Sequence, residues 1–324
     1  MCPILVLSGE PGQTPTIDGL YEVMPCNLLD VLAVISYPPI PILELGPVSL
    51  SLHGVFAAVG FLVGTYYSSN VLGRRGFEVA AYQSVMTWSL VGGLLGARWL
   101  TIPAEWAANG VDLSELWSLT GNFSIMGGFT GGILVAVYRM RMVGLKVWPT
   151  LDGSTFGLAI GTILGRVGDL AIVEHLGGPT ELFLGFGIRP GYDVAPQHNQ
   201  LECSSVDIGE FCGVFHHTGL YDMIGAMVLF GALVWVHRRS SWRLRYGQLF
   251  MGWVVWYGLQ RFLIDFTRLS LDINGDKELG VFTWSQWSGL SAAVAALGIL
   301  VWFGRRNLEV TSENDVEFAG AVLE

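Results

Sequence analysis

Apolar residues along this chain come in long uninterrupted runs, not in the alternation of a half-buried strand. Seven runs are long enough to span, or nearly span, a hydrocarbon core of about 30 Å. They lie at roughly Val48 to Ser69, Val79 to Leu100, Phe123 to Tyr138, Val147 to Leu170, Leu220 to Val236, Gly247 to Phe266 and Phe282 to Phe303. The pattern predicts an all-α polytopic membrane protein with seven transmembrane helices. The third run is short and the fourth carries Asp152, Arg166 and Asp169, so both rest on the regular spacing of their neighbours. Around this membrane domain, residues 46–306, the chain divides into a Pro-rich, irregular extension over 1–45 and an acidic tail over 307–324. Residues 172–219, rich in Gly, Pro and acidic side chains, are long enough for a small head outside the membrane.

Composition agrees with bilayer as solvent. Only 14% of the 324 residues are charged, 52% are hydrophobic and mean hydropathy is +0.51, whereas soluble domains carry about 25% charged residues. The net charge of −10 is summed over two membrane faces, so its distribution matters more than its value, and nucleic acid is excluded as a ligand class. Arg74, Arg75, Arg139, Arg141, Lys146, Arg238, Arg239, Arg243, Arg245, Arg305 and Arg306 all fall in alternate connections, against only Arg189, Arg268 and Lys277 in the others. The positive-inside rule puts the arginine-rich side in the cytoplasm, the N-terminus outside and the C-terminus inside. The first forty residues lack a basic start followed by an apolar core, so no cleavable signal peptide is expected. Cys203 and Cys212 would pair if their stretch faces an oxidising space.

Gly153, Gly157, Gly161 and Gly165 stand four apart in the fourth span, a smooth face that Asp169 continues. Gly92 and Gly96, and the pairs Gly127/Gly131 and Gly128/Gly132, repeat the device, which is read as close helix packing. Arginines inside spans are a different matter. Arg98, Arg166 and Arg261 would each cost at least about 2.5 kcal/mol at a lipid-facing helix centre, so they face the bundle interior or water. Counted from the cytoplasmic ends at about 1.5 Å per residue, all three rise roughly 22–30 Å, to the outer leaflet. One reading has them snorkel or pair with Asp169, Glu174 and Asp265; the other has them bind an anion such as a lipid phosphate through paired hydrogen bonds. Tyr257, Arg261, Asp265 and Arg268, spaced 4, 4 and 3, form one stripe that should line a cavity. Asp272 to Glu278 has the opening of a calcium loop but lacks its glycine and final glutamate, and is read as a solvated acidic turn.

These residues carry a resemblance. Gly165-Arg166-Val167-Gly168-Asp169, with Glu174 and Gly177 following, resembles the signature of prolipoprotein diacylglyceryl transferases: Gly-Arg-x-Gly-Asn, a Glu five residues on and a Gly three further. Tyr257 to Phe266 is similar to the family's second arginine helix, with Asp265 for its usual Glu. His216-His217-Thr218-Gly219-Leu220-Tyr221-Asp222 is similar to its His-Pro-Thr-Gln-Leu-Tyr-Glu, and Gly46 to Leu50, Gly96 to Arg98 and Gln286 to Ser288 also match. The likeness covers about Gly46 to Arg306.

The resemblance implies a multi-pass enzyme of the bacterial plasma (inner) membrane. It would move the diacylglyceryl group of phosphatidylglycerol to the lipobox cysteine of a prolipoprotein and release glycerol phosphate. Its partners would be phosphatidylglycerol, the lipobox peptide and membrane lipids, with no metal and no cofactor. Arg166 and Arg261 would hold the phosphate and stabilise the leaving group; Glu174, Asp169, Gly177 and Tyr257 would shape the lipid site, with Arg98 and Asp265 as further binding residues. Among the departures from the family pattern, Met126 stands where it has His, His53 where it has Tyr and Asp169 where it has Asn. His53, at the outer depth, is then a general base or an interfacial histidine. His175, His216 and His217 are other candidates for the base, each read first as a solvated loop or helix-end residue. Two alternatives stay open: a non-catalytic relative that binds phospholipid or prolipoprotein, and an anion transporter, which would need polar residues continuing to the cytoplasmic ends of the helices.

Overall fold

Lipid offers a peptide backbone no hydrogen bonds, so the apolar runs close their amide bonds internally as helices. The computed structural model describes residues 34–41, 43–45, 48–99, 101–102, 106, 110–117, 125–173, 175–182, 184–194, 210–238, 246–268 and 278–305. Among them are seven α-helices: α1 (Leu52–Arg74), α2 (Val79–Trp99), α3 (Ile125–Met142), α4 (Val147–Ile172), α5 (Thr218–Arg238), α6 (Gln248–Asp265) and α7 (Trp284–Arg305). Four stretches, Leu52–Arg74, Val147–Ile172, Thr218–His237 and Ser285–Trp302, are long and apolar enough to cross a membrane, and these helices make the chain a membrane protein.

The fold is mostly helical but not all-α, which corrects the sequence reading. Leu43–Leu45 (β1) pairs antiparallel with Val48–Leu50 (β2) ahead of α1. Leu176–Pro179 (β3), Gly185–Ile188 (β4) and Gly213–His217 (β5) form an antiparallel sheet in the order β3-β5-β4 between α4 and α5. Glu278–Leu279 (β6) pairs with Phe282–Thr283 (β7) before α7. The sheet has its own core of Val173, Leu176, Phe186, Ile188, Val194 and Phe215. The extension over 1–45 is also not irregular throughout. Ile35 makes a parallel bridge to Phe186, Ser36 Oγ donates to the Gly187 carbonyl at 2.9 Å, and Tyr37 Oη donates to the Leu170 carbonyl at 2.7 Å.

Glycine sets how closely the helices approach. A Cβ on Gly64 would lie 2.5 Å from the Gly157 carbonyl oxygen, and one on Gly60 2.8 Å from that of Gly161, so α1 and α4 touch backbone to backbone. Gly92 and Gly96 meet Gly131 and Gly127 in the same way between α2 and α3. Gly165 departs from the expected stripe, since a Cβ there would meet nothing within 4 Å. Next along, Gly168 is the tightest outer contact: a Cβ would come 2.8 Å from the Cα of His53. The glycine seam therefore ends by laying the first turn of α1 against the last turns of α4.

Polar residues inside the helices have separate partners at the two ends of the bundle. Asp152, buried near the start of α4, accepts the backbone N–H of Gly247 at 2.7 Å and of Phe250 at 2.9 Å. Gly247 is the N-cap of α6 and offers no side chain to its orphan donors, so α4 supplies the cap from outside. At the other end, Thr283 and Gln286 form a reciprocal capping box for α7, each accepting the other's backbone N–H. The Thr283 hydroxyl also donates to Asp265, tying the start of α7 to the end of α6.

Candidate active site

Four helices bring charged side chains to one place, on the side where the sheet sits. From α4, Arg166 lies between two carboxylates: Nη1 is 2.5 Å from Asp169 Oδ2, and Nη2 is 2.9 Å from Asp222 Oδ2 on α5. The spacing of Arg166 and Asp169 puts them one turn apart on one helix face. Asp169 and Asp222 are both buried. Gln260 of α6 holds Asp222, its Nε2 donating to the carboxylate at 3.1 Å and to the Asp222 backbone carbonyl at 3.0 Å. From α1, His53 Nδ1 bonds the second oxygen of Asp169, Oδ1. Asp169 is thus bridged on one side by a guanidinium and on the other by an imidazole.

The second half of the site comes from α6. Arg261 Nη2 lies 3.5 Å from Asp265 Oδ1 and donates to Ser285 Oγ of α7 at 3.1 Å. Tyr257, one turn earlier, stacks on Trp253 with ring centroids 5.3 Å apart and meets Phe129 of α3 edge-on at 6.3 Å, forming an aromatic floor beneath the charges. Arg268 follows the helix. Burial and the neighbouring Arg261 charge lower its pKa to about 10, and Arg166 also acts on it. Three guanidinium groups therefore share one electrostatic neighbourhood, balanced by Asp169, Asp222 and Asp265.

The chain turns sharply beside this cluster. Val173 and His175 both take left-handed backbone conformations, with φ of 53° and 65°. A β-branched residue there is strained, and such strain gathers at functional sites. Thr218 at the start of α5 donates its hydroxyl to the His175 carbonyl. His175 is not the solvated loop residue expected from sequence: burial, then the charge of Arg268, lowers its pKa to about 4. The same correction applies to His217, which is buried against Phe186 and Tyr37 and likewise lowered to about 4 by burial. His216 is half-buried, with Nδ1 3.3 Å from the Tyr221 hydroxyl.

Sequence expectations meet the structure unevenly. Arg166, Arg261, His53, Asp169, Tyr257 and Asp265 fall in or directly around the cluster. Arg98 is buried at the end of α2, where its Nη1 donates to Thr101 of the same turn at 3.3 Å. Gly177 has a structural explanation: a Cβ would lie 2.1 Å from the Thr267 carbonyl oxygen, the same oxygen that accepts the Gly178 N–H at 2.9 Å. That crossing holds the β3 turn against the end of α6 and keeps His175 beside Arg268. Glu174, Cys203 and residues 272–277 lie outside the described residues, as does the tail after 305; Met126 opens α3, with its side chain likewise outside them. Cys212 is disulfide-bonded. Asp222, Gln260 and Ser285 were not expected as site residues, although Asp222 sat in a quoted motif; Arg268 stood in the stripe and His175 among the candidate bases.

A sequence profile described as prolipoprotein diacylglyceryl transferase matches residues 41–302. The phosphatidylglycerol-prolipoprotein diacylglyceryl transferase of Thermus thermophilus is 28% identical over 283 residues, covering 81% of this chain and 97% of the relative. Enzymes of the same name from Geobacillus kaustophilus and Chloroflexus aggregans are 27% and 29% identical, covering 82% and 71% of this chain and 91% and 76% of the relatives. With the profile spanning most of its length, the chain belongs to the prolipoprotein diacylglyceryl transferase family.

Proposed function

We propose that this protein transfers the diacylglyceryl group of phosphatidylglycerol to the thiol of a prolipoprotein lipobox cysteine. The observation that carries the reading is the cluster of Arg166, Arg261 and Arg268 beside the buried carboxylates Asp169, Asp222 and Asp265, at the apolar helices' ends nearest the sheet. A phosphodiester has one negative charge, and the glycerol phosphate it leaves behind has two. Fixed guanidinium donors favour the charge that grows as the bond breaks, which is electrostatic catalysis by preorganised groups. Arg166 and Arg261 hold the phosphate, with Arg268 behind them. His53 takes the thiol proton, and Glu174 is a further catalytic residue. Arg98, Asp169, Gly177, Tyr257 and Asp265 shape the lipid site, the aromatic floor under Tyr257 accepting the upper acyl chains.

In this reading all seven helices span the bacterial inner membrane, the N-terminus lies outside and the C-terminus in the cytoplasm. The sheet between α4 and α5 is then a small extracytoplasmic head over the outer-leaflet site. The arginine-rich alternate connections support that orientation. The test is transfer of labelled diacylglyceryl from phosphatidylglycerol to a lipobox peptide by the purified protein, beside Arg261→Ala, His53→Ala and Met126→His. Turnover lost in the first two establishes an enzyme whose base is His53. No turnover in the native protein, with turnover in Met126→His, would instead mean a binding relative.

A further inference from the structure

We infer that Asp169 is the positioning residue for His53, so that a carboxylate and an imidazole from two different helices act as one proton-accepting unit. The inference rests on the transferase reading and reassigns Asp169 from the wall of the lipid site to the thiol chemistry.

The geometry comes first. Asp169 is buried and His53 half exposed, with side-chain accessibilities of 1% and 47%. An ionised carboxylate only accepts hydrogen bonds, so the His53 nitrogen that meets Asp169, Nδ1, carries the hydrogen. Nε2 then carries the lone pair, on a ring that is half exposed. This is the tautomer an imidazole needs in order to take a proton from a nucleophile, and a buried carboxylate behind the ring is the standard way of fixing it. The thiol gives its proton to Nε2 and the thiolate attacks the glyceryl carbon. A C–S bond forms as the C–O bond to phosphate breaks, its electron pair leaves on the phosphate oxygen, and the imidazolium later returns the proton to solvent.

Two further features accompany the pair. Asp169 splits its oxygens, Oδ1 to His53 and Oδ2 to Arg166 at 2.5 Å, which fixes the distance between the base and the phosphate-binding cation. Gly168, immediately before it, lets the α1 backbone come close enough for the contact, since any Cβ there would collide with the Cα of His53.

A role confined to holding Arg166 and a role exercised through His53 differ in a double-mutant cycle. Asp169→Asn, His53→Ala and the double variant are assayed for turnover and for the phosphatidylglycerol KM. We expect each single change to lower kcat by about 10²-fold or more, with KM within about threefold, and the double variant to be no worse than His53→Ala. Losses that multiply in the double variant overturn the inference and leave the transferase reading standing. Absence of transfer by the unmodified protein overturns both. Should Asp169→Asn fold poorly, added imidazole gives a second reading, comparing His53→Ala with His53→Ala/Asp169→Glu. Rescue confined to the variant that keeps Asp169 supports positioning, and equal rescue in both overturns it.

Discussion

Helix α4 buries two aspartates, Asp152 near its start and Asp169 near its end, and the two differ in what they touch. Asp152 accepts the backbone amides of Gly247 and Phe250. Its carboxyl oxygens meet the N-terminal end of α6, where orphan N–H groups need acceptors. Nothing in that arrangement reaches a substrate. Asp169 accepts from side chains instead, His53 and Arg166, and the histidine is half exposed. The same residue type, in one helix and at similar burial, is a cap in one place and part of a charged cluster in the other. Intramembrane carboxylates are therefore sorted by their partners: backbone donors mark architecture, and titratable or cationic side chains beside an opening mark chemistry.

Substitutions can break this contrast. The largest effect is expected for Arg166→Ala, which leaves Asp169 and Asp222 facing each other without their shared cation and should cut transfer on the order of 10³-fold or more; an initial-rate assay at saturating lipid checks it. Gly168→Ala should follow, at about 10²-fold, because the new methyl displaces His53 by about an ångström from the geometry its bond to Asp169 sets. The check is the rate per folded molecule, because a methyl wedged against the α1 backbone also lowers the melting temperature. Asp152→Ala should do the reverse. It leaves two buried amide donors unpaired and costs about 1–3 kcal/mol of stability, read by thermal unfolding in detergent, while the rate per folded molecule stays within about threefold. A large loss of rate in a folded Asp152→Ala protein would erase the distinction.

The smallest effect concerns pH. His175 and His217, both outside the helices, are held neutral with pKa values near 4. A depressed histidine is bound by more protons in the unfolded chain, so its stabilising effect is complete above about pH 6.5 and fades as pH falls toward 4. Acidifying from 6.5 to 5 should lower stability on the order of 1–2 kcal/mol per group at most, and His217→Phe should flatten part of that slope in melting curves.

How much of this could be read from the chain alone depended on distance along it. The apolar runs give the seven helices because composition over twenty residues is a strong signal. Arg166 with Asp169 and Arg261 with Asp265 are legible because partners three or four apart share a helix face. His53 with Asp169, 116 residues apart, and Asp222 with Arg166 are not. Those contacts depend on how each helix is rotated about its axis, which for α1 and α4 is set by Gly60, Gly64, Gly157 and Gly168 in contacts that no single segment reveals. The sheet escaped for another reason. Strands of four or five residues carrying Gly177, Gly178, Gly185 and Gly187 look like turn sequence, and they are held as strands by each other.

One consequence lies in the segment before β1. β4 is an outermost strand of its sheet, and Ile35 satisfies it on the free side, taking the Gly187 N–H and giving its own to the Gly185 carbonyl, both at 2.9 Å. Bare strand edges recruit other chains, and proteins that persist in concentrated surroundings cover them. The stretch matched to the family begins at residue 41, after this cover. A protein trimmed to that boundary would keep every helix and every arginine described above, yet would present an unpaired edge through which copies can zip together.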